Sequence, residues 1–531
     1  MRLPLRRGGL IMLNLAHALE RSAFLYPEKP AITFAEKAFT YTQLNAVANQ
    51  VANALDALGI RPGDKVALSC PNLPYFPMIY YGILKAGAVV VPLNILFKGS
   101  EVAYHLNDSE ARAYFCFEGT EDLPIGKNGW SGFNETDGCE HFFMITADPA
   151  QASDIQGVDT LSALLQNQSA EFRAVDTGAE DTAVILYTSG TTGQPKGAEL
   201  THSNMVLNAL SCQILLRATA EDTTLIVLPL FHSFGQTVLM NMTVFSGGSM
   251  VLVPRFDPKA VLKAMEQHSV TLFAGVPTMY IGLLNHPESD DINLQAVKEH
   301  LRLGVSGGAS LPVEVFHQVQ RKFDFILLEG YGLSETSPVA TFNYIDGDRI
   351  PGSIGQPLQG VEVGIMDNEG SLLEPEEVGE VVIRGHNIMK GYYRRPEATA
   401  EAMRGGWFHS GDIGKRDARG NFYIVDRLKD MIIRGGYNVY PREIEEVLMQ
   451  HDAIAMVAVV GISHETHGEE VMAIVVPKTG VEIDVDDLKS WSKERLADYK
   501  YPRVIEIREQ LPMTATGKIL KKELKAEIGS R

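Results

Sequence analysis

The chain has little cysteine, no long apolar run and a deficit of basic charge. Its 531 residues contain four cysteines, Cys70, Cys116, Cys139 and Cys212. No two form a CxxC pair, which argues against zinc-ribbon and thioredoxin-type motifs. Their density is too low for a disulfide framework and fits a reducing compartment. No apolar stretch approaches the roughly 20 residues that span a bilayer. The best candidate, 88–97 (AVVVPLNILF), is broken by Pro92 and Asn94 and reads as a buried strand and turn. Lys and Arg number 47 against 66 Asp and Glu, a formal charge of −19. That balance argues against a protein that coats nucleic acid, which needs clustered cations to neutralise phosphates. It does not exclude small anionic substrates, whose binding depends on the local field. The basic N-terminus carries only a short, broken apolar stretch, so no signal peptide is expected, and an organellar-targeting segment is the alternative left open. Met12 is an alternative start, with 1–11 as an extension, and the expected location is cytoplasmic.

What is present is an ordinary soluble composition, 45% hydrophobic and 21% charged, in a length that suggests three or four folding units. Apolar residues at helical spacing over 41–58 end at Gly59 and lead through a Pro-Gly turn to a short strand at 65–69. A helix at 75–86, a strand at 88–91, a helix at 100–107 and a strand at 113–117 continue the alternation. This pattern predicts βαβ units and a mostly parallel sheet. The polar, glycine-rich stretch 125–160 reads as surface loop with one strand at 141–145. Buried strands resume at 183–187, 225–229, 250–253 and 272–274. From 352 to 426 short strands (361–367, 379–385, 421–426) between Gly, Pro and Asp turns predict a small β-rich subdomain. After Asp426 an α+β pattern follows, with strands near 454–460 and 471–476 and helices near 441–450 and 485–496. A boundary is placed at 426–430. From Arg427 onward there are 16 basic and 18 acidic residues, so almost all of the negative charge lies on 1–426.

The expected fold class is therefore α/β: a large N-terminal body, 1–426, followed by a small α+β domain, 427–531. The body divides into an α/β subdomain of about 12–180, a second of 181–340, and the β-rich subdomain 341–426.

The strongest local signal is Thr188-Ser189-Gly190-Thr191-Thr192-Gly193-Gln194-Pro195-Lys196-Gly197, directly after the buried strand 183–187. Gly190 and Gly193 permit a tight backbone path whose N–H groups face an anion. The hydroxyls add donors, and Lys196 adds a point charge suited to polyphosphate. It is not a Walker A loop, which requires GxxxxGK[ST] running straight into a helix. Here Lys196 is followed by Gly197 and a short strand, with the next helix starting near Thr201.

Six further motifs follow in order: Phe231-His-Ser-Phe234, Gly307-Gly-Ala-Ser310, Glu329-Gly-Tyr-Gly-Leu-Ser-Glu335, Gly406-Trp-Phe-His-Ser-Gly-Asp412, Asp426-Arg-Leu-Lys-Asp430 and Thr516-Gly-Lys518. Together they resemble the adenylate-forming superfamily of acyl-CoA synthetases, aryl-CoA ligases, beetle luciferase and peptide-synthetase adenylation domains. The resemblance covers the chain from about Met12 and is nearest to bacterial fatty acid–CoA ligases.

The resemblance implies a mobile C-terminal domain and an ATP site made by the 188–197 loop, Gly308, Ala309, Glu329, Gly330, Tyr331, Gly332, Ser334, Asp412, Arg427 and Asn438. Tyr331 matches the aromatic that stacks on adenine, opposite the Gly308–Ala309 backbone. Asp412 matches the carboxylate that accepts from the ribose hydroxyls; two acceptor oxygens suit a vicinal diol. Glu335, with Thr188, matches the magnesium site, and a hard cation on phosphates prefers such oxygen ligands. Ser334 and Ser410 stand where many members have Thr and keep the hydroxyl. Lys518 matches the catalytic lysine of the first half-reaction, Lys429 the hinge, and Gly435 and Gly436 the turn that CoA approaches, although many relatives carry a lysine there. His232 stands where amino-acid-activating members carry Asp. A neutral imidazole cannot pair with a substrate ammonium, so a non-amino acid is expected; the resemblance also implies a catalytic role for His232, beside Lys518 and Glu335, as a histidine that flanks the acyl site and moves between the half-reactions. His202 and His409 read as structural.

The acyl site is expected at His232, Gly235 and Gly307, with the apolar segments 237–245 and 275–280 around it. The function implied is an ATP-dependent acid–thiol ligase that uses ATP, Mg2+ and CoA and acts through an acyl-adenylate on a medium- or long-chain fatty acid. The alternatives are an aryl or short-chain acid, an acyl-AMP ligase that loads a carrier protein, a luciferase-like oxidase and a catalytically dead nucleotide binder. No nucleic-acid partner and no transmembrane segment are expected. Peripheral membrane contact and a homodimer are left open.

Overall fold

The computed structural model describes residues 12–188, 194–286, 292–464 and 466–529. The chain forms two compact units. The first runs to Ala274 and adds Gly332–Val339 and Gly385–Glu401; the second comprises Gly275–Tyr331, Ala340–Arg384 and the chain from Ala402 onward.

The alternation read from the sequence builds the first unit. The helical spacing after Phe39 gives the helix Tyr41–Ala57, started by a Thr40–Gln43 capping box that satisfies two otherwise orphaned donors. The strands Lys65–Ser69, Val89–Pro92 and Ala111–Phe117 pair in parallel. They belong to an eight-stranded sheet in the order Gly391–Tyr392, Lys196–Thr201, Thr182–Thr188, Val89–Pro92, Lys65–Ser69, Ala111–Phe117, His141–Ile145, Asp159–Thr160. Leu272–Gly275, Thr223–Ile226, Ser249–Leu252 and Pro30–Phe34 form a second parallel run, closed by the antiparallel strand Lys37–Thr40.

The loop expected over 125–160 is corrected in part: the strand His141–Ile145 is present, but Ile125–Asn134 is a helix. Its three glycines, 126, 129 and 132, are what made it read as loop, since each costs a helix about 1 kcal/mol relative to alanine. They are also what lets it lie close to its neighbours. A Cβ at Gly129 would stand 2.4 Å from Cys116 Sγ, and one at Gly132 2.5 Å from the Gly99 carbonyl. On the same helix Trp130 and Phe133 pack on Phe142. Tertiary packing overrides propensity here.

In the second unit Leu303–Ser306 pairs in parallel with Ile326–Gly332. Val361–Met366, Val378–Gly385, Phe408–Arg416 and Phe422–Arg427 make a four-stranded antiparallel sheet. The strand Phe408–Arg416 is one the sequence pattern does not predict. The segment after Arg427 has its own sheet, Tyr437–Val439, Ile432–Arg434, Gly468–Pro477 and Ile454–His464, with Val504–Ile507 added in parallel to Gly468–Pro477. Ile444, Leu448, Leu488 and Val459 are in its core. Among the described residues no helix is long and apolar enough to cross a membrane. All four cysteines are free and buried.

Gly129→Ala, which in an open helix stabilises by about 1 kcal/mol, is expected instead to cost about 1–3 kcal/mol through overpacking and to lower the melting temperature. A melting temperature equal to or above that of the unmodified protein would show that the helix does not press on Cys116.

Candidate active site

In the first unit Thr182–Thr188 and Lys196–Thr201 form an antiparallel pair in which Thr188 faces Lys196. These are the two feet of the predicted phosphate loop; Ser189, Gly190, Thr191, Thr192 and Gly193 lie outside the described residues. Both feet are clamped. The Tyr187 hydroxyl donates to Asp108 Oδ2 at 2.8 Å, and Asp108 also pairs with Arg395. The Tyr104 hydroxyl donates to the Pro195 carbonyl at 2.7 Å. Lys196 Nζ lies over the ring of Tyr392, 5.1 Å from its centroid. The Tyr392 hydroxyl donates to Glu335 Oε1 at 2.9 Å. Ser334 and the buried Glu335 sit in the short turn Ser334–Thr336. The neighbouring strap 386–389 is held by Asn204 Nδ2 donating to the His386 and Ile388 carbonyls and by Ser337 Oγ donating to Asn387.

His232 belongs to the same unit. Its backbone N–H donates to Pro229, and its Nδ1 accepts from the Phe234 N–H at 3.3 Å. That bond leaves Nε2 as the protonated nitrogen of the neutral ring. The chain then enters a π-helix, Phe234–Asn241. A Cβ at Gly235 would meet the Pro229 carbonyl at 2.5 Å, so only glycine lets the π-helix begin this close to the 228–229 loop. The helix buries polar groups as well as apolar ones: Tyr81 donates to Asn241 Oδ1 at 2.8 Å and Gln236 Nε2 to the Leu230 carbonyl at 3.1 Å.

In the second unit, Asp412 on Phe408–Arg416 faces Arg427 on Phe422–Arg427 in register. Cross-strand pairing of this kind brings side chains within reach of one another. Arg427 Nε lies 3.4 Å from Asp412 Oδ1, and the Tyr331 hydroxyl donates to Asp412 Oδ2 at 2.6 Å. Burial pushes the Asp412 carboxyl above the usual carboxylate range, while Arg427 and the Tyr331 bond work against it. The bend that aims Asp412 is held by Glu380, which accepts from the Gly411 N–H at 3.0 Å and pairs with His409 at 2.7 Å. Glu380 was missed in the sequence, where it carries no motif. Glu329, Gly330, Tyr331 and Gly332 end one strand. The Glu329 carboxylate accepts from the Gly352 N–H at 2.8 Å, and burial raises it to about 7.

Lys518 stands in the same unit, in a tight turn. Its N–H donates to Thr514 Oγ1 at 3.0 Å, its carbonyl accepts from the Thr514 N–H, and Thr278 Oγ1 donates to the Gly517 carbonyl at 2.8 Å. The side chain runs beside Gly308, where a Cβ would meet Lys518 Cε at 3.2 Å; Gly308 also has φ +79°. Alanine there would be strained in backbone and crowded by the lysine. Gly307 is buried and Ala309 exposed. Gly435 and Gly436 form the turn between Ile432–Arg434 and Tyr437–Val439, both with positive φ, and Asn438 is exposed on the second of these strands. Lys429 lies in the exposed turn that follows Arg427.

Residues 19–393 match the model of the AMP-binding enzyme family, and 443–518 match that of the AMP-binding enzyme C-terminal domain. The chain belongs to the AMP-binding enzyme family. A long-chain-fatty-acid–CoA ligase of Bacillus subtilis (strain 168) is 38% identical over 97% of this chain and 94% of its own. A feruloyl-CoA synthase of an Amycolatopsis species is 36% identical over 96% and 98%. Among solved structures, an anthranilate CoA ligase in complex with anthranoyl-AMP has a TM-score of 0.89 at 29% identity, covering 99% of both chains. ATP-bound MatB from Rhodopseudomonas palustris has a TM-score of 0.86 at 33% identity, covering 97% and 99%.

For this AMP-binding enzyme, the donor set fits a magnesium ion that arrives with its nucleotide. Among the described residues no three His, Cys, Asp or Glu side chains gather around a common point. One buried carboxylate, Glu335, and a hydroxyl at Thr188 are what an ion that keeps phosphate and water oxygens requires. The electrostatics of Lys518 are unusual for a lysine. Burial, and then the Arg427 charge, depress its ammonium to about 8, and Asp412 opposes the shift.

Pulse acylation of the unliganded enzyme, read by peptide mass spectrometry between about pH 6 and 11, should show Lys518 half-titrated near 8. Arg427→Gln should move the midpoint up and Asp412→Asn should move it down. A midpoint at the ordinary lysine value in all three proteins would refute this environment.

Proposed function

We propose that this enzyme joins a carboxylic acid to CoA in two steps, with MgATP as the activating reagent. In the first, a carboxylate oxygen attacks the α-phosphorus of ATP, the bond to the pyrophosphate oxygen breaks, and acyl-adenylate and pyrophosphate result. In the second, the CoA thiolate attacks the acyl carbonyl, AMP leaves with the electron pair, and the thioester is released. The observation that carries the reading is the cluster of Tyr331, Asp412, Arg427 and Lys518. Its carboxylate suits a ribose diol. Its lysine is a half-buried cation, which stabilises charge that accumulates as two anionic groups meet better than a fully exposed one would.

The roles follow from chemistry and family resemblance. Tyr331 and the Gly308–Ala309 backbone hold adenine, Asp412 the ribose, and Arg427 the ribose–phosphate link. Lys518 spans the attacking carboxylate and the α-phosphate. Lys196 and the loop hydroxyls hold the outer phosphates. Magnesium, when bound at Glu335 and Thr188, neutralises phosphate charge. His232 and Gly235 border the acyl group. The segment after Lys429 turns about that residue between the half-reactions, bringing Gly435 and Gly436 to the pantetheine arm. No covalent enzyme intermediate is required, because a thiolate is already a strong nucleophile.

The acid proposed is a medium- or long-chain fatty acid. The apolar 237–245 segment and the fatty-acid–CoA ligase of Bacillus subtilis at 38% identity favour it. The feruloyl-CoA synthase at 36% favours an aryl acid as the second reading. Four unpaired, buried cysteines fit a cytoplasmic location.

The test is pyrophosphate release over a panel of fatty, aryl and short-chain acids, with and without CoA. Release should be greatest with a fatty acid of about eight or more carbons, whose buried methylenes contribute about 0.8 kcal/mol each, and CoA should convert the product to thioester and AMP. Preference for aryl acids would select the second reading. Accumulation of acyl-AMP with no thioester would overturn the ligase assignment.

A further inference from the structure

Tyr392 touches two groups of opposite charge that the proposed function assigns to one nucleotide. Its ring lies under Lys196 Nζ at 5.1 Å from the centroid, and its hydroxyl donates to Glu335 Oε1 at 2.9 Å. A cation over an aromatic face is attracted by the ring quadrupole, and a hydroxyl given to a carboxylate makes a charge-assisted bond. The residue reaches this place by backbone pairing. Gly391–Tyr392 is the edge strand beside Lys196–Thr201, with Tyr392 opposite Ala198. On either side the Lys390 N–H donates to Glu199 at 2.8 Å and the Tyr393 N–H to Gly197 at 2.7 Å. The Tyr392 N–H is taken by Thr399 Oγ1 at 2.9 Å. Main chain and side chain are therefore both fixed, and the strand that carries the phosphate-loop lysine also carries its aromatic support.

A neutral spacer has a specific use here. A lysine and a glutamate that face one ligand would gain by closing on each other as an ion pair, which would spend the charge each needs for phosphate and for metal. Tyrosine satisfies both without cancelling either. We infer that Tyr392 is a positioning residue that holds Lys196 and Glu335 apart and aimed, so that ATP and its magnesium ion are gripped together. This rests on the reading of Lys196 as a phosphate ligand and Glu335 as the magnesium carboxylate.

The two contacts can be separated. Tyr392→Phe keeps the ring under Lys196 and deletes the bond to Glu335; Tyr392→Leu removes both. The readout is equilibrium ATP binding to the full-length enzyme by calorimetry, without acid or CoA, once with saturating Mg2+ and once with EDTA. For Tyr392→Phe, affinity should fall about 3- to 10-fold with Mg2+ and stay at the wild-type value in EDTA, as loss of one charge-assisted bond implies. For Tyr392→Leu it should fall in both conditions. A Phe variant that melts like the wild type yet binds ATP equally well with Mg2+, or loses as much affinity in EDTA as in Mg2+, overturns the inference. Because no turnover is involved, the outcome is distinct from that of the ligase reading. A wild type that binds MgATP but makes no acyl-adenylate defeats that reading alone, and an unchanged Phe variant of an active ligase defeats this one alone.

Discussion

A lysine ammonium kept where burial and a neighbouring arginine both disfavour it is the interaction on which the second unit's site depends. Lys518 is depressed to about 8, with Asp412 as the charge that holds its proton. Desolvation strengthens whatever the ammonium does for an incoming anion, because the same charge in water would be screened. The local structure exists to hold it there. The left-handed backbone of Gly308 leaves the lane its methylenes occupy, and the threonines at 514 and 278 fix the turn that presents it. Asp412 in turn depends on the Glu380 clamp and on register with Arg427.

The global charge is beside the point for such a site. A chain of net −19 that handles nucleotide, carboxylate and thiol ester must place its cations singly. Lys196 is set over an aromatic ring, Arg427 against a carboxylate and Lys518 against glycine. Each is immobilised by a neighbour that does not use up its charge, or uses only part of it. The clamps at Tyr104–Pro195 and Tyr187–Asp108 do the same for the backbone at the feet of the proposed phosphate loop.

Much of this was legible in the sequence. The alternation of helix and strand from Tyr41 to Phe117 has the right periods, and its elements stand within one or two residues of expectation. The helix Ile125–Asn134 was not legible, because its glycines signal loop until the surface they press against is known. The strand Phe408–Arg416 was missed because a Ser-Gly-Asp run masks its alternation. In the site, Tyr331, Asp412, Arg427 and Lys518 were named from ordered motifs, and on spacing alone Lys518 would have been one lysine among the neighbours Lys521, Lys522 and Lys525. Neither Tyr392 nor Glu380 was given a role from the sequence. They act through strand pairings that join distant parts of the chain, which no local pattern encodes.

The most direct test of the central claim separates the two half-reactions at Lys518. Lys518→Ala is supplied either with acid and MgATP or with preformed acyl-adenylate and CoA. Adenylate formation should fall by on the order of 10²- to 10⁴-fold, the scale of losing one preorganised charge at a transition state, while thioester should form from the supplied adenylate at close to the wild-type rate. Adenylate formation at the wild-type rate in this variant, or an equal loss in both half-reactions, would contradict it.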